Sequence, residues 1–230
     1  MTTLSFPAPP PRSEQELLNR ARRLAGLSLG ELASIARQPL PGSTRSGKGW
    51  SGQLLERFLG ASAASRPEPD FTLIGVELKT LPVNAAGLPK ESTYVCSVPL
   101  KDTRHLRWET SWVRLKLQRV LWLPVEAEPA IPFEQRRVGA ALLWSPDAGE
   151  EALLKQDWEE HMDRICTGRL EEISARDGEV LQIRPKAAHS RVLCETRGED
   201  GAPTRTLPRG FYLRSRFTRA IIQRHFAGYN

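Results

Sequence analysis

Glu77 and Lys79, in the run GVELKT at residues 75–80, have types and a spacing that suit chemistry. They lie in an apolar stretch, FTLIGVELKTLPV, that reads as a buried strand over 71–80. Residues two apart on a strand point to one face, so Glu77 and Lys79 emerge side by side while Val76 and Leu78 point the other way. Asp70, at the mouth of the strand, can reach the Glu77 side through the turn of chain before it. Two carboxylates beside a lysine suit one task. Magnesium takes one or two protein carboxylates, keeps waters, and completes its shell from substrate phosphate. A phosphodiester needs such a metal to offset charge and to make hydroxide from water near neutral pH. A neighbouring lysine can orient the water or stabilise the developing negative charge. The plainer alternative is an exposed ion pair on one strand face, contributing ~0–1 kcal/mol.

The elements that must position these groups follow from local signals. Ser13 and Glu16 make a capping box ahead of Leu17, Leu18, Ala21 and Leu24, and Ser28 with Glu31 repeats it before LASIA. A glycine-rich loop, PGSTRSGKG (41–49), leads into a helix, WSGQLLERFLG. A second strand is expected over 92–98, after a turn around Asn84 to Pro89. TSWVRLKLQRV (110–120) reads as a helix running into the strand VLWLPV. RRVGAALLWSP is a strand or buried segment, and DAGEEALLKQDWEEHMDRICTG is a long amphipathic helix. The tail offers the strand EVLQIR, the turn RPKAA, a short helix, the strand GFYLRS and a last helix, RFTRAIIQRHF. The fold class is α/β, with a mixed central sheet flanked by helices.

The 230 residues suit one large domain or two small lobes. No run approaches ~18–20 consecutive apolar residues, so no membrane span is expected. MTTLSFPAPPPRS does not resemble a secretory signal, and three cysteines without CxxC spacing argue for a reducing cytoplasm. The formal charge is +6, and residues 201–230 hold six arginines with no Asp or Glu. The first 200 residues balance, 27 basic against 27 acidic. Such a local basic surface suits a phosphate backbone, and the alternative is a solvated arginine-rich helix.

Asp70, Glu77 and Lys79 spell D-(x6)-E-x-K, the pattern of the PD-(D/E)xK nuclease superfamily. Longer segments are more specific. GWSGQLLE, GVELKT, ETSWVRLKLQRVLWLPVE, RRVGAALLWSP, LQIRPKAA and TLPRGFYL together resemble the MutH family of bacterial mismatch-repair endonucleases, in the same order and at similar spacing. The resemblance implies a restriction-endonuclease-like fold of two lobes around a DNA cleft. The acid-bearing lobe is expected near 13–110 and the reading lobe near 111–230, in a single MutH-like endonuclease domain spanning 1–230.

The resemblance also implies roles. Glu56, Asp70, Glu77 and Lys79 match the family's active site, Lys116 resembles a lysine near the catalytic centre, and the Leu78 backbone carbonyl joins Glu56, Asp70 and Glu77 as a metal ligand. Arg184, Pro185 and Lys186 resemble the base-reading loop, since Arg and Lys can read guanine O6 and N7 in the major groove. Tyr212 resembles the residue that senses adenine methylation; on sequence alone it is equally a half-buried strand tyrosine. Lys48, Gly49, Tyr94, Arg214 and Arg216 are further expected DNA contacts. The implied activity is Mg2+-dependent incision of the unmethylated strand 5′ to G in hemimethylated GATC sites, with Mn2+ or Ca2+ able to occupy the site. The implied partners are duplex DNA, MutL as activator and, indirectly, MutS. A monomer with one metal site should nick. The rivals are a related GATC restriction endonuclease that cuts both strands and a non-catalytic GATC-binding protein.

Overall fold

Local capping starts the chain's first helices. The computed structural model describes residues 4–42, 44–64, 66, 68–187 and 191–227, with the side chains of 44–48 outside that description. Ser13 caps α1 (Glu14–Leu24) by accepting from the Glu16 N–H, and Ser28 with Glu31 forms a full capping box on α2 (Leu29–Ala36). The next helix, α3 (Thr44–Leu59), starts earlier than expected and takes in most of the stretch read as a glycine-rich loop. It ends where Gly60, at φ +87, turns the chain into a left-handed conformation.

The chain divides into two compact units that are interleaved along the sequence. Met1–Lys90 with Arg119–Ser145 form one, and Glu91–Gln118 with Pro146–Gly228 the other. The expected single break near residue 110 thus meets a division with three crossings. The cause is pairing. In the first unit β1 (Glu77–Val83) runs parallel to β3 (Val120–Glu126), which pairs antiparallel with β4 (Leu142–Trp144). In the second, β2 (Thr93–Ser97) pairs with β8 (Arg209–Leu213), and β8 with β5 (Leu181–Pro185), all antiparallel. The consecutive strands β1 and β2 therefore never pair. A small hairpin, β6 (Cys194–Arg197) with β7 (Pro203–Thr206), completes the strands; the sequence reading did not anticipate it.

The first unit is a mixed sheet with α1, α2 and α3 packed on it. Leu17, Leu24, Leu32, Leu54, Leu55 and Leu59 from the helices meet Val76, Leu78, Leu121 and Leu123 in one buried cluster. Full burial of each such leucine stabilises by ~1.5–3 kcal/mol. The second unit carries α4 (Trp112–Leu117), α5 (Ala148–Cys166) and α6 (Ser215–Ala227). The expected helix over 110–120 is thus shorter, because the chain enters β3 at Val120. In α5, Asp157 accepts from the N–H groups of Glu179, Val180 and Leu181 at 2.7–2.8 Å, which fixes the start of β5. Among the described residues, no helix is long and apolar enough to cross a membrane.

Candidate active site

Asp70 and Glu77 meet because the chain between them folds into a tight turn, not a continuous strand. Phe71 and Val76 form an isolated bridge, with Phe71 N–H donating to Val76 O at 2.9 Å, and Gly75 at φ +65 completes the reversal. The expected strand over 71–80 therefore begins only at Glu77. The turn returns Asp70 to the edge of β1. Its carboxylate Oδ2 accepts from the Leu78 N–H at 2.9 Å, and its own N–H donates to Glu77 Oε2 at 3.3 Å. Glu77 is buried, at 3% exposure, and its Oε1 accepts from Lys79 Nζ at 2.7 Å. The side-by-side placement of Glu77 and Lys79 matches the strand-face argument, and Leu78 packs into the core on the other side.

Strand geometry also aims the Leu78 carbonyl. Glu77 N–H donates to Arg119 O beside β3, so the peptide groups of Glu77 and Lys79 face β3. Those of Leu78 must face the open edge, where its N–H already meets Asp70. The carboxylates of Asp70 and Glu77 and the carbonyl of Leu78 thus gather at one edge of β1. Three hard oxygens fit the preferences of magnesium. Among the described residues no three His, Cys, Asp or Glu side chains form a group able to hold a metal. Glu56 sits half-buried on α3, beside Leu54, Leu55, Phe58 and Leu59, which anchor that helix to the shared core. Lys116 is half-buried on α4, in the second unit, whereas the acids belong to the first. Gly49 is exposed within α3; the side chain of Lys48 lies outside the described residues.

A second constellation assembles on the β2–β8–β5 sheet. Tyr94 faces Tyr212 across the β2–β8 ladder, with ring centroids 5.4 Å apart and planes at 64°. The Lys186 ammonium lies 3.0 Å from the Tyr94 ring centroid, and the Arg184 guanidinium 5.8 Å from that of Tyr212. Arg184 Nη1 also donates to Ser92 Oγ at 2.8 Å, while Tyr94 and Ser97 hydroxyls lie 3.1 Å apart. Burial, then the neighbouring Tyr94, raises the Tyr212 phenol above its usual pKa, and Arg184 opposes this. Arg184, Pro185 and Lys186 are exposed at the end of β5. Four expected DNA contacts, Tyr94, Arg184, Lys186 and Tyr212, thus stand together on one unit. Ser92 and Gly210, which shape this cluster, had no signal in the sequence, because their partners are distant along the chain.

The arginine-rich tail makes contacts within its own unit. Arg214 donates to the carbonyls of Gly178, Ala175 and Asp177 at 2.8–3.0 Å, and Arg216 to that of Glu179 at 2.6 and 3.1 Å. Both guanidiniums thus hold the segment before β5. Arg209 pairs with Glu171 at 2.8 Å, and Arg224 with Asp147 and Glu150. Folding brings acids from elsewhere against a tail that has none of its own. Arg205 and Arg219 remain exposed.

Comparison with known proteins identifies the family. Residues 59–157 match the family described as DNA mismatch repair enzyme MutH. The chain is 56% identical to the DNA mismatch repair protein MutH of Serratia proteamaculans (strain 568), over 98% of this chain and 99% of that protein. It is 56% identical to the MutH of Klebsiella pneumoniae (strain 342), over 98% of each, and 56% identical to that of Yersinia enterocolitica, over 98% and 99%. With identity at this level over nearly every residue of both partners, the chain belongs to the MutH family.

Proposed function

We propose that this MutH-family endonuclease is Mg2+-dependent and nicks the unmethylated strand 5′ to G in hemimethylated GATC sites. The observation that carries the reading is the Asp70–Glu77–Lys79 group on one strand edge. Magnesium, when bound by Asp70, Glu77 and the Leu78 carbonyl, supplies charge to offset the phosphodiester and to acidify water. Mn2+ or Ca2+ suits the same oxygens. Lys79 holds a cation beside the attacking water and the charge that develops on phosphate, where such a group acts most strongly in the transition state. Glu56 is a supporting group of this centre, and Lys116 carries the role of the family lysine that it resembles. Arg184 and Lys186 read guanine O6 and N7, and Tyr212 faces the adenine amino group, where a methyl adds bulk. Lys48, Gly49 and Tyr94 contribute further DNA contacts.

The enzyme acts as a monomer in the cytoplasm, activated by MutL after MutS finds a mismatch. These partners come with the family role. One chain carries one such centre, and the two strands of DNA present their scissile phosphates in opposite orientations, so a single chain cuts one strand per event. The test is incubation with supercoiled plasmid, with and without Mg2+ and with and without GATC. Open circles that need both support the reading. Linear DNA as the first product favours a restriction endonuclease, and binding without incision favours a non-catalytic GATC binder.

A further inference from the structure

Gly210 lies on β8 two residues before Tyr212, so both face the same side of the sheet. It stands opposite Arg184 on one side and Ser97 on the other. A Cβ at this position would lie 2.9 Å from Tyr94 Cε2 and 3.1 Å from Tyr212 Cε2. Its φ is not among the positive values of the chain, so the backbone does not require glycine there. The two rings crowd the position: an added Cβ would force one or both to shift. The ladder between β2 and β8 also shifts register between Tyr94 and Cys96, a bulge of the kind that re-aims a side chain. Tyr94 is then held from the other side by Lys186 and at its hydroxyl by Ser97.

We infer that Tyr94 and Gly210 are positioning residues for methyl discrimination: Tyr94 fixes the Tyr212 ring at the adenine edge, and Gly210 provides the clearance that lets both rings sit there. The inference rests on the proposed role of Tyr212. The same contacts link reading to sensing. Lys186, in the base-reading segment, covers Tyr94, and Tyr94 abuts Tyr212. A change at Tyr94 therefore alters the response to methylation through a ring that need not touch the methyl group.

The experiment compares nicking rates on matched duplexes carrying unmethylated, hemimethylated or fully methylated GATC. The variants are Tyr94→Leu, Tyr94→Phe, Gly210→Ala and Tyr212→Ser. A ring–ring contact of this geometry is expected to shift the ratio of unmethylated to fully methylated rates about two- to tenfold. Tyr94→Leu and Gly210→Ala should both lower that ratio towards the Tyr212→Ser value, and Tyr94→Phe, which keeps the ring, should restore it. A general structural defect would slow all three substrates alike and leave the ratio unchanged. If Tyr212→Ser blurs methylation while Tyr94→Leu and Gly210→Ala discriminate as sharply as the parent, the inference falls and the role of Tyr212 stands. If Tyr212→Ser itself discriminates as the parent does, both fall together.

Discussion

Truncating Glu77 tests the candidate site through stability as well as activity. Lys79 Nζ lies 2.7 Å from Glu77 Oε1, and the two side chains keep 12% and 4% of their exposure. At that distance two unit charges attract by ~6 kcal/mol at an effective dielectric of 20. Removing both charges from water offsets most of this attraction, so the pair adds little net stability. Truncating one partner is different, because the buried ammonium then loses its carboxylate. Glu77→Ala should cost ~3–5 kcal/mol. Glu77→Gln keeps one acceptor oxygen, which can serve Lys79 or the Asp70 N–H but not both, and should cost ~1–3 kcal/mol. The double variant Glu77→Ala/Lys79→Met buries no charge and should recover ~2 kcal/mol or more of the loss. Urea unfolding followed by tryptophan fluorescence measures all four proteins. Nicking should be lost in every variant. Adding Mg2+ at tenfold its dissociation constant should stabilise the parent by ~1.4 kcal/mol and the Glu77 variants by less. Equal unfolding midpoints for parent and Glu77→Ala, with no recovery in the double variant, would refute the buried-pair reasoning.

Other contacts give shorter tests. Arg214→Gln removes three hydrogen bonds to the 175–179 segment and should cost about 2 kcal/mol in urea unfolding. It should leave the salt slope of DNA binding nearly unchanged; a slope reduced by ~0.9 with full stability would support the phosphate-contact role. Asp157→Ala removes the acceptor of three N–H groups, two of them buried, and should cost ~3 kcal/mol or more, measured the same way. Burial holds the His161 pKa below its ordinary 6.5, against the opposing pull of the Leu181 carbonyl. The unfolded chain therefore takes up this proton first as pH falls. The contribution is fully present above 6.5 and is lost on acidification below it, by up to ~1.4 kcal/mol per pH unit. Unfolding midpoints between pH 7.5 and 5.5 should show that slope in the parent and a flatter one in His161→Gln.

Local chemistry made much of the fold readable. The caps at Ser13, Ser28 and Asp147 begin helices where the sequence places them, because a cap and its target lie three residues apart. The glycines of 41–49 misled, since the helix there runs through them. Pro82 makes a stop after Thr80 seem natural, yet β1 continues to Val83. The reason is the edge. Position 82 alternates with Glu77, Lys79 and Leu81, so its peptide groups face away from β3, and no ladder bond is lost to the missing N–H. Its carbonyl accepts instead from the Lys90 N–H at 3.1 Å. The β6–β7 hairpin was missed because its strands are short, polar and mostly exposed, and only the Gly198–Gly201 turn marked it.

The two candidate centres differ in legibility because their tasks differ. A metal and a phosphate need a few hard oxygens and a cation, and a single turn can gather those. Asp70, Glu77, Leu78 and Lys79 lie within one short segment, so the pattern survives in the sequence. Discriminating a base, and a methyl group on it, needs several groups to meet one edge from different directions. Here Tyr94 comes from β2, Arg184 from β5 and Tyr212 from β8, and their meeting depends on which strands pair and in what register. The residue that permits the meeting, Gly210, contributes no side chain at all. Its closeness to both rings shows only once they are placed, whereas Tyr212 could be singled out from the resemblance of TLPRGFYL to the MutH family.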